Sequence, residues 1–422
     1  MKKLPLPRLL VISLLSFGLT FLSNVQDPPL MTYKVHQLAP NLPNTALGFL
    51  GFLGLLVAML VQPVVGVFSD RAHTRLGRRL PFIIGGVVLL AAALFLMAAA
   101  PNLWLLVTGI VFVQFAANFM QGPWQALIPD LVPASQHGAA ASLKASLDII
   151  ALVGGGAAAG MILGEQGIAQ WGQNAVFVIS TVTVTILIVI VSVTAAWARE
   201  QPGNPSPAAK RPIGAALRHA YSVDFRRYPL FAWWFANRVL FWGAFIALNA
   251  FLINYLVDVI QMGQAEAQSF YGSMKIILGT ALVLLALLAG WFSDRYGRKP
   301  VMLASGLVAF AGIFTLFFVR DKNLIILGAA IIGMGIGAFL SASWALATDI
   351  VPREEAARYL GIANIATCLG SGGARLLGAL LIDPINTWFS SSSAGYLALY
   401  GLAGICFLLS TLAILPLPNT RK

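Results

Sequence analysis

Residues 290 to 299 read Gly-Trp-Phe-Ser-Asp-Arg-Tyr-Gly-Arg-Lys, a charged segment that directly follows a long apolar run. A related segment at residues 66 to 71, Gly-Val-Phe-Ser-Asp-Arg, also follows an apolar run and also leads into a glycine and basic residues. A second pair supports the repeat, because the stretch from 124 to 133 recurs as the stretch from 344 to 352. Two independent matches, each six predicted spans apart, indicate a duplicated six-helix unit.

The composition identifies the solvent of this unit. Of the 422 residues, 59% are hydrophobic and 10% are charged, against about 25% charged in a soluble domain. The apolar runs are long enough to cross a hydrocarbon core about 30 Å thick as helices. We therefore predict an all-α membrane protein with twelve transmembrane helices in two pseudo-symmetric six-helix bundles. The predicted spans are 9–33, 45–69, 81–100, 103–129, 139–163, 174–197, 229–257, 269–293, 300–319, 324–348, 359–382 and 395–416.

The placement of the basic residues predicts the orientation. The net charge is +12, but only Lys34, Arg320 and Lys322 fall in the loops opposite the N-terminus. This positive-inside bias predicts a multi-pass protein of the cell membrane with both termini in the cytoplasm, and it argues against nucleic acid as a partner. We expect a first bundle at 1–198, a cytoplasmic linker at 199–228 and a second bundle at 229–422. Within the linker, Ile213, Leu217, Tyr221 and Phe225 recur at four-residue spacing, which predicts a short amphipathic helix on the cytoplasmic face.

Reactive side chains are sparse. Both cysteines, Cys368 and Cys406, fall inside predicted spans, and the four histidines are far apart in sequence. Neither a disulfide framework nor a metal site follows from this spacing. We therefore expect no enzyme activity, no cofactor and no metal.

The repeated segment resembles the signature of the major facilitator superfamily, Gly-x-x-x-Asp-Arg-x-Gly-Arg-Lys/Arg, which the second copy fits without a gap. The longer first copy, at 70–82, is similar to that of sucrose transporters and the glycoside-pentoside-hexuronide symporters. The resemblance implies alternating access, with the charged loops stabilising the outward-open state. Positive-inside topology alone is the alternative interpretation of these loops. The gating residues implied are Gly66, Asp70, Arg71, Arg78, Gly290, Asp294, Arg295 and Arg298.

Four amide side chains form a stripe along the fourth span. Their spacing of i, i+4, i+7 and i+11 places them within about 60° of one another on a helix. An amide facing lipid would leave donors and acceptors unpaired, so the stripe should face a water-filled cavity or another helix. The predicted substrate-binding residues of this stripe are Gln114, Asn118, Gln121 and Gln125.

The seventh span aligns Arg238, Trp242 and Asn249 on one face. A charge near mid-bilayer costs roughly 2.5 to 3.5 kcal/mol on insertion scales, so Arg238 should either bind substrate or form a structural ion pair. Trp344 in the tenth span is a further predicted substrate contact. Arg375 in the eleventh span is either a substrate contact or part of an outer gate.

Two acids are candidates for ion coupling. Asp27 is either a coupling acid inside the first span or a solvated residue at its mouth, because Pro28 and Pro29 follow it and can end the helix there. Asp148 lies four residues after Lys144, so the two form either a structural pair or a proton-carrying site.

These observations predict a secondary transporter for a small polar solute. We expect a sugar or glycoside carried with a proton, or with sodium, by a monomer in the lipid bilayer. One alternative is an efflux antiporter for an amphipathic compound. Another is a non-transporting sensor or assembly factor that keeps the transporter fold.

Overall fold

The computed structural model describes residues 3–72, 74–197, 212–221, 225–318, 321–350 and 356–419. Every long regular element within these ranges is a helix. The α-helices are α1 (Leu6–Val25), α2 (Met31–Leu38), α3 (Pro43–Ser69), α4 (Leu80–Ala99), α5 (Leu103–Leu131), α6 (His137–Leu163), α7 (Glu165–Trp171), α8 (Ala175–Trp197), α9 (Ile213–Tyr221), α10 (Pro229–Asp258), α11 (Gln264–Tyr296), α12 (Arg298–Phe318), α13 (Lys322–Ile350), α14 (Ala356–Trp388) and α15 (Ala394–Leu412).

The predicted set of twelve membrane-spanning helices is confirmed. Helices α1 and α2 form the first span together, and α7 and α9 are short connecting helices. Among the described residues, 10 helices have the length and mean hydropathy needed to cross a membrane. The chain is therefore a multi-pass membrane protein. The short amphipathic helix expected in the linker is α9, within which Ile213, Leu217 and Tyr221 recur at four-residue spacing.

The first span bends but does not end at its prolines. Between α1 and α2, residues Gln26–Leu30 form a π-helical turn in which Asp27 has the non-helical angles φ −133° and ψ 116°. Proline lacks the N–H that an α-helix needs, which accounts for the bend. The helix then continues to Leu38, so Asp27 lies inside the span and is half-buried.

The chain divides into two compact units. Unit 1 comprises Met1–Leu38 and Leu56–Ser222, and unit 2 comprises Ala39–Leu55 and Val223–Lys422. Helix α3 therefore contributes its first half to unit 2 and its second half to unit 1. The predicted bundle boundaries assign the whole of this helix to the first bundle.

Within unit 1, α1 packs against α6 and α8, and α4 packs against α5 and α8. Glycine permits close packing of α4 on α5, because a Cβ on Gly109 would lie 2.8 Å from the Cα of Met97. The buried indole of Trp124 donates a 2.9 Å hydrogen bond to the carbonyl of Ile12, which holds α5 against α1.

Within unit 2, α10 packs against α14 and α15, and α13 packs against α11 and α12. Buried aromatic rings fill the space between these helices. Phe241 of α10 stacks on Phe339 of α13, and Tyr255 of α10 contacts Tyr400 of α15 with ring centroids 5.4 Å apart. Such pairs contribute about 0.5 to 1.5 kcal/mol each beyond the area that they bury.

The two charged segments turn at equivalent glycines. Gly77 and Gly297 have φ angles of 97° and 99°, a region that side chains with a Cβ rarely adopt. Gly66 instead lies within α3, and a Cβ built on it would meet no atom within 4 Å. The chain reversal therefore depends on Gly77 and not on Gly66.

Candidate functional site

The segment after α3 forms a charged cluster, which we define as Ser69, Asp70, Arg78, Arg79 and Asp130. Arg79 is 4% exposed and lies at the centre of the cluster. Its guanidinium contacts the carboxylates of Asp70 at 2.5 Å and Asp130 at 3.2 Å, and it donates to the hydroxyl of Ser69 at 2.6 Å. Arg78 pairs with Asp130 at 2.7 Å. All five residues belong to unit 1, so these ion pairs join α3, α4 and α5 of one unit.

The sequence indicated Asp70 and Arg78 but did not single out Arg79 or Asp130. Arg71, another predicted gating residue, donates from Nη1 to the carbonyl of Val67 on its own helix at 2.8 Å. Its contribution differs from that of Arg79, which connects three helices.

The second charged segment shows a simpler described contact. Arg298 is 5% exposed and donates from Nη1 to the hydroxyl of Ser293 at 3.0 Å. The guanidinium of Arg295 lies 5.6 Å from the ring centroid of Tyr296. The surroundings of Gly290 and the side chain of Asp294 lie outside the described part of the structure, although both residues are within α11.

The amide stripe of α5 is only partly engaged by hydrogen bonds. Asn118 is buried and donates to the carbonyl of Gln114 at 2.8 Å, while Gln125 is exposed and accepts from the amide of Gln62 on α3 at 2.8 Å. Among the described residues, the half-buried side chain of Gln121 makes no hydrogen bond. The stripe therefore retains amide groups that can bind another molecule.

Asp148 of α6 is the centre of a polar cluster with α1. Its Oδ1 accepts hydrogen bonds from the hydroxyls of Ser16 and Thr20, the second at 2.9 Å. Its Oδ2 accepts from Lys144 at 2.7 Å, and the ammonium of Lys144 lies 5.8 Å from the ring centroid of Trp124. The side chain of Asp148 is 30% exposed, so the carboxylate is not enclosed by protein on every side.

Arg238 lies in the interior of unit 2, where it is 4% exposed. Its Nε donates to the carbonyl of Ala363 at 3.2 Å and to the hydroxyl of Thr367 at 3.0 Å, both on α14. The guanidinium lies between two indole rings of α10, 5.5 Å from the centroid of Trp234 and 5.9 Å from that of Trp242. The described partners of Nε are neutral oxygens.

The indole N–H of Trp242 is a buried donor beside this arginine. Within the described ranges it has no hydrogen-bond acceptor. A buried donor without an acceptor costs about 1 to 3 kcal/mol, and a bound solute could supply that acceptor. Arg238 and Trp242 thus combine apolar ring faces with polar hydrogen atoms, which suits a molecule that is apolar on its faces and hydroxylated at its edges.

Asn249 lies about three helical turns beyond Arg238 on α10 and forms hydrogen bonds with a different helix. Its Oδ1 accepts from the ammonium of Lys275 at 2.9 Å and from the hydroxyl of Tyr271 at 3.2 Å, both on α11. Lys275 is 3% exposed, so it is buried and does not reach an aqueous interface. Beside Asn249 and Lys275 lies a mainly apolar cavity of about 40 Å³, which is room for two or three water molecules and not for a sugar.

Arg375 is 2% exposed on α14 and packs against the first half of α3. A Cβ built on Gly51 would lie 2.4 Å from its Nη1, so the guanidinium occupies the space left by that glycine. This position favours the gate interpretation over the substrate interpretation. The side chain of Trp344 lies outside the described part of the chain.

No group of three or more His, Cys, Asp or Glu side chains that could hold a metal is found among the residues that the structure describes.

Comparison with known proteins connects these features to a family. The family described as MFS/sugar transport protein matches residues 21–361. Over 98 residues the chain is 36% identical to the minor myo-inositol transporter of Bacillus subtilis (strain 168), covering 23% of this chain and 22% of that protein. Over 105 residues it is 29% identical to a sucrose transport protein of Oryza sativa subsp. indica, covering 20% of this chain and 19% of that protein. Each match thus spans about a fifth of the relative's length.

Solved structures resemble the whole chain. The D-xylose-proton symporter superimposes with a TM-score of 0.74 at 16% identity, covering 98% of this chain and 99% of that one. A bacterial homolog to the human lysosomal transporter Spinster, in an inward-facing and occupied conformation, gives a TM-score of 0.69 at 15% identity, covering 96% and 92%. At these identities the likeness shows the fold.

Proposed function

The chain belongs to the MFS/sugar transport protein family of the major facilitator superfamily, and we propose that it carries a sugar or glycoside across the cell membrane together with a proton. Transport would follow alternating access, in which the solute site opens to one side of the membrane at a time. Support for a sugar comes from the relatives that are named for myo-inositol and sucrose.

One observation carries the substrate proposal, namely the buried Arg238 between the rings of Trp234 and Trp242. The half-buried ring of Trp242 can cover the apolar face of a sugar, while its indole N–H and the guanidinium of Arg238 donate to the sugar hydroxyls. The amides of Gln121 and Gln125 are further candidate contacts. Each should contribute about 1 kcal/mol if it binds a hydroxyl.

For coupling we propose Asp148 as the proton-binding residue. The carboxylate is partly exposed, and the hydroxyls of Ser16 and Thr20 connect it to the polar face of α1. Protonation would remove its attraction for Lys144 and leave the hydroxyl contacts, so the cluster can exist in two charge states. Asp27, which lies at the bend of the first span, is a second candidate.

The substrate proposal is tested by measuring sugar uptake into proteoliposomes with the parent protein and the Arg238→Lys variant. Lysine keeps the charge but loses the planar fork, so we expect Km for the transported sugar to rise at least about tenfold. Gln121→Ala and Gln125→Ala should raise Km about fivefold each. Gln170→Ala, an exposed amide on α7, is the matched control and should leave Km unchanged.

Equal Km values for the parent and for Arg238→Lys, Gln121→Ala and Gln125→Ala would contradict the assignment of the site. Accumulation of lipophilic cations in place of sugars would favour the efflux alternative. Absence of transport for every solute class, in protein that is folded, would favour the sensor or assembly-factor alternative.

The coupling proposal is tested with Asp148→Asn. We expect it to abolish uphill uptake driven by a pH gradient while sugar exchange between the two sides continues, because exchange requires no net proton movement. Uptake that remains driven by the pH gradient would rule out Asp148 as the coupling site. Uptake driven by a sodium gradient instead would identify sodium as the coupling ion.

A further inference from the structure

A buried polar network anchors the beginning of α3 to unit 2. The carboxylate of Asp383 on α14 accepts from the side-chain amide of Asn44 at 2.8 Å and from the backbone N–H of Thr45 at 2.7 Å. The Oδ1 of Asn44 accepts in turn from the amide of Asn254 at 2.8 Å and from the hydroxyl of Tyr396 at 3.0 Å. Four helices, α3, α10, α14 and α15, meet in this network.

The carboxylate and the amide at the centre of the network are buried. Asp383 is 7% exposed and Asn44 is 1% exposed. The second oxygen of Asp383 satisfies an N–H in the first turn of α3, where a helix has no backbone acceptor of its own and where a negative charge is favourable. The hydroxyl of Tyr396 also contacts the carboxylate of Asp258, so its one hydrogen is shared between Asn44 and Asp258.

Backbone packing joins the same helices next to the network. A Cβ built on Gly48 of α3 would lie 2.4 Å from the carbonyl oxygen of Arg375 on α14, and one on Gly51 would overlap the guanidinium of Arg375. The two helix backbones therefore approach closely only because these positions lack side chains.

Two features indicate that this contact can open. Residues 39–55 belong to unit 2, yet they continue without interruption into Leu56–Ser69 of unit 1, so this contact holds the part of α3 next to the point where the helix passes from one unit to the other. In addition, within the described ranges the carboxylate of Asp383 is bound by neutral donors and by no cation. Burying the charge of this carboxylate costs free energy that its hydrogen bonds must offset, so the closed contact is favoured only by the difference.

We propose that Asn44, Thr45, Asn254, Asp383 and Tyr396 form an outer latch that closes the transporter on the side predicted to be extracellular and releases the beginning of α3 when that side opens. The outer latch adds a gate to the proposed function and does not depend on which solute is carried. Arg375 is a positioning residue of the outer latch, because it fills the space beside Gly51.

The bonding pattern provides a sharp test, because Asn44 and Asp383 can be exchanged. Asp383→Asn alone offers a second amide to Asn44, and Asn44→Asp alone places two carboxylates face to face. In the double variant the new amide at 383 can donate to the new carboxylate at 44 and accept from the N–H of Thr45. The acceptors for Asn254 and Tyr396 are also preserved.

Opening is measured by electron–electron spin distances in purified full-length protein with Cys368→Ser and Cys406→Ser. Spin labels are attached at Leu42→Cys and Trp388→Cys, which are both exposed and lie at the ends of α3 and α14 beside the outer latch. The control pair, Leu324→Cys with Trp388→Cys, omits α3.

We expect each single substitution to increase the long-distance population of the first pair at least about fivefold, and the double variant to restore the parent distribution. The control pair should not change. Single variants that match the parent, or a double variant as open as the singles, would overturn the proposal.

A packing variant tests the outer latch without altering its polar groups. Gly48→Ala should also increase the long-distance population, because its new methyl group would overlap the backbone of α14. Gly373→Ala is the matched control, since a Cβ there meets no atom within 4 Å. Unchanged distances in Gly48→Ala would show that the contact is not a gate.

Discussion

Each end of helix α3 takes part in a polar network, and the two networks differ in their chemistry. At its beginning, the outer latch is built from amides, a hydroxyl, a backbone N–H and the carboxylate of Asp383, and all its members are buried except the half-buried Thr45. At its end, the charged cluster joins two carboxylates to two guanidiniums, with Asp70 and Asp130 exposed by 27% and 24% in their side chains. The outer latch depends on complementary hydrogen bonds between buried groups. The charged cluster depends on ion pairs with partly exposed carboxylates.

The difference indicates a difference in role. The charged cluster lies entirely within unit 1 and connects three of its helices, so it stabilises that unit as well as any gate it serves. The outer latch holds only the part of α3 that belongs to unit 2. A network of neutral donors around one carboxylate can exchange its partners for water at moderate cost, which suits a contact that must break and reform.

The largest expected effect concerns the orientation of the two ends of α3. We expect an impermeant thiol reagent, added to intact cells, to label Leu42→Cys and not Thr74→Cys, because the charge bias places residue 42 outside and residue 74 in the cytoplasm. The variants carry Cys368→Ser and Cys406→Ser, and both positions should react after permeabilisation. Labelling of Thr74→Cys alone in intact cells would reverse the orientation and place the outer latch on the cytoplasmic side.

Removing the central arginine of the charged cluster should have the next largest effect. Arg79→Leu leaves Asp70 and Asp130 without their shared partner, and because these carboxylates are partly exposed and Asp130 keeps Arg78, we expect a loss of about 1 to 3 kcal/mol. Thermal unfolding in detergent measures the loss. Arg75→Leu, in the same segment but exposed, is the control and should change stability little. A similar melting temperature for both variants would mean that the cluster contributes only surface electrostatics.

Smaller, opposite effects on conformation are expected from single substitutions at the two ends. Asp70→Asn should shift the equilibrium toward inward-open, and Asp383→Asn should shift it toward outward-open, because each removes contacts that form on one side only. Thiol accessibility from the two sides measures both shifts. If Asp70→Asn lowers thermal stability without changing accessibility, the charged cluster is structural and the gate resides at the outer latch.

The smallest expected effect distinguishes the two networks by salt. Raising the ionic strength from 0.1 to 1 M shortens the Debye length from about 10 Å to about 3 Å, which weakens exposed ion pairs and hardly affects buried hydrogen bonds. The stability difference between the parent and Asp70→Asn should therefore fall by a few tenths of a kcal/mol. The difference between the parent and Asp383→Asn should stay constant, and an equal salt response would contradict the contrast.

The sequence predicted the helical fold well because apolar length and a repeated charged segment are local signals. Helix α9 was also predicted correctly, from residues four apart on one face. The extent of the first and eleventh spans was less accurate, because prolines interrupt both patterns. Helix α14 continues through Pro384 to Trp388, so Asp383 lies inside a helix although the predicted span ends at residue 382.

The functional residues show where local patterns fail. The motif identified Asp70 and Arg78, but nothing in a run of basic residues shows that Arg79, at the start of α4, is the one that turns inward. The outer latch combines Asn44 with Asp383, which are more than 300 residues apart, so only the folded chain brings them together. Arg238 was singled out because a charge inside a span is rare, whereas its tryptophan neighbour at 234 carries no comparable signal.

Gly48 and Gly51 fix the closed position of α3 by steric contact, in addition to the hydrogen bonds of the outer latch. Salt and temperature act on the strength of polar contacts, but the distance at which two bare backbones meet is set by the van der Waals radii of their atoms. When the beginning of α3 returns to α14, steric fit at Gly48 and Gly51 therefore selects one register of α3 against α14. Even a variant with a broken polar network should close, more rarely, onto the same register.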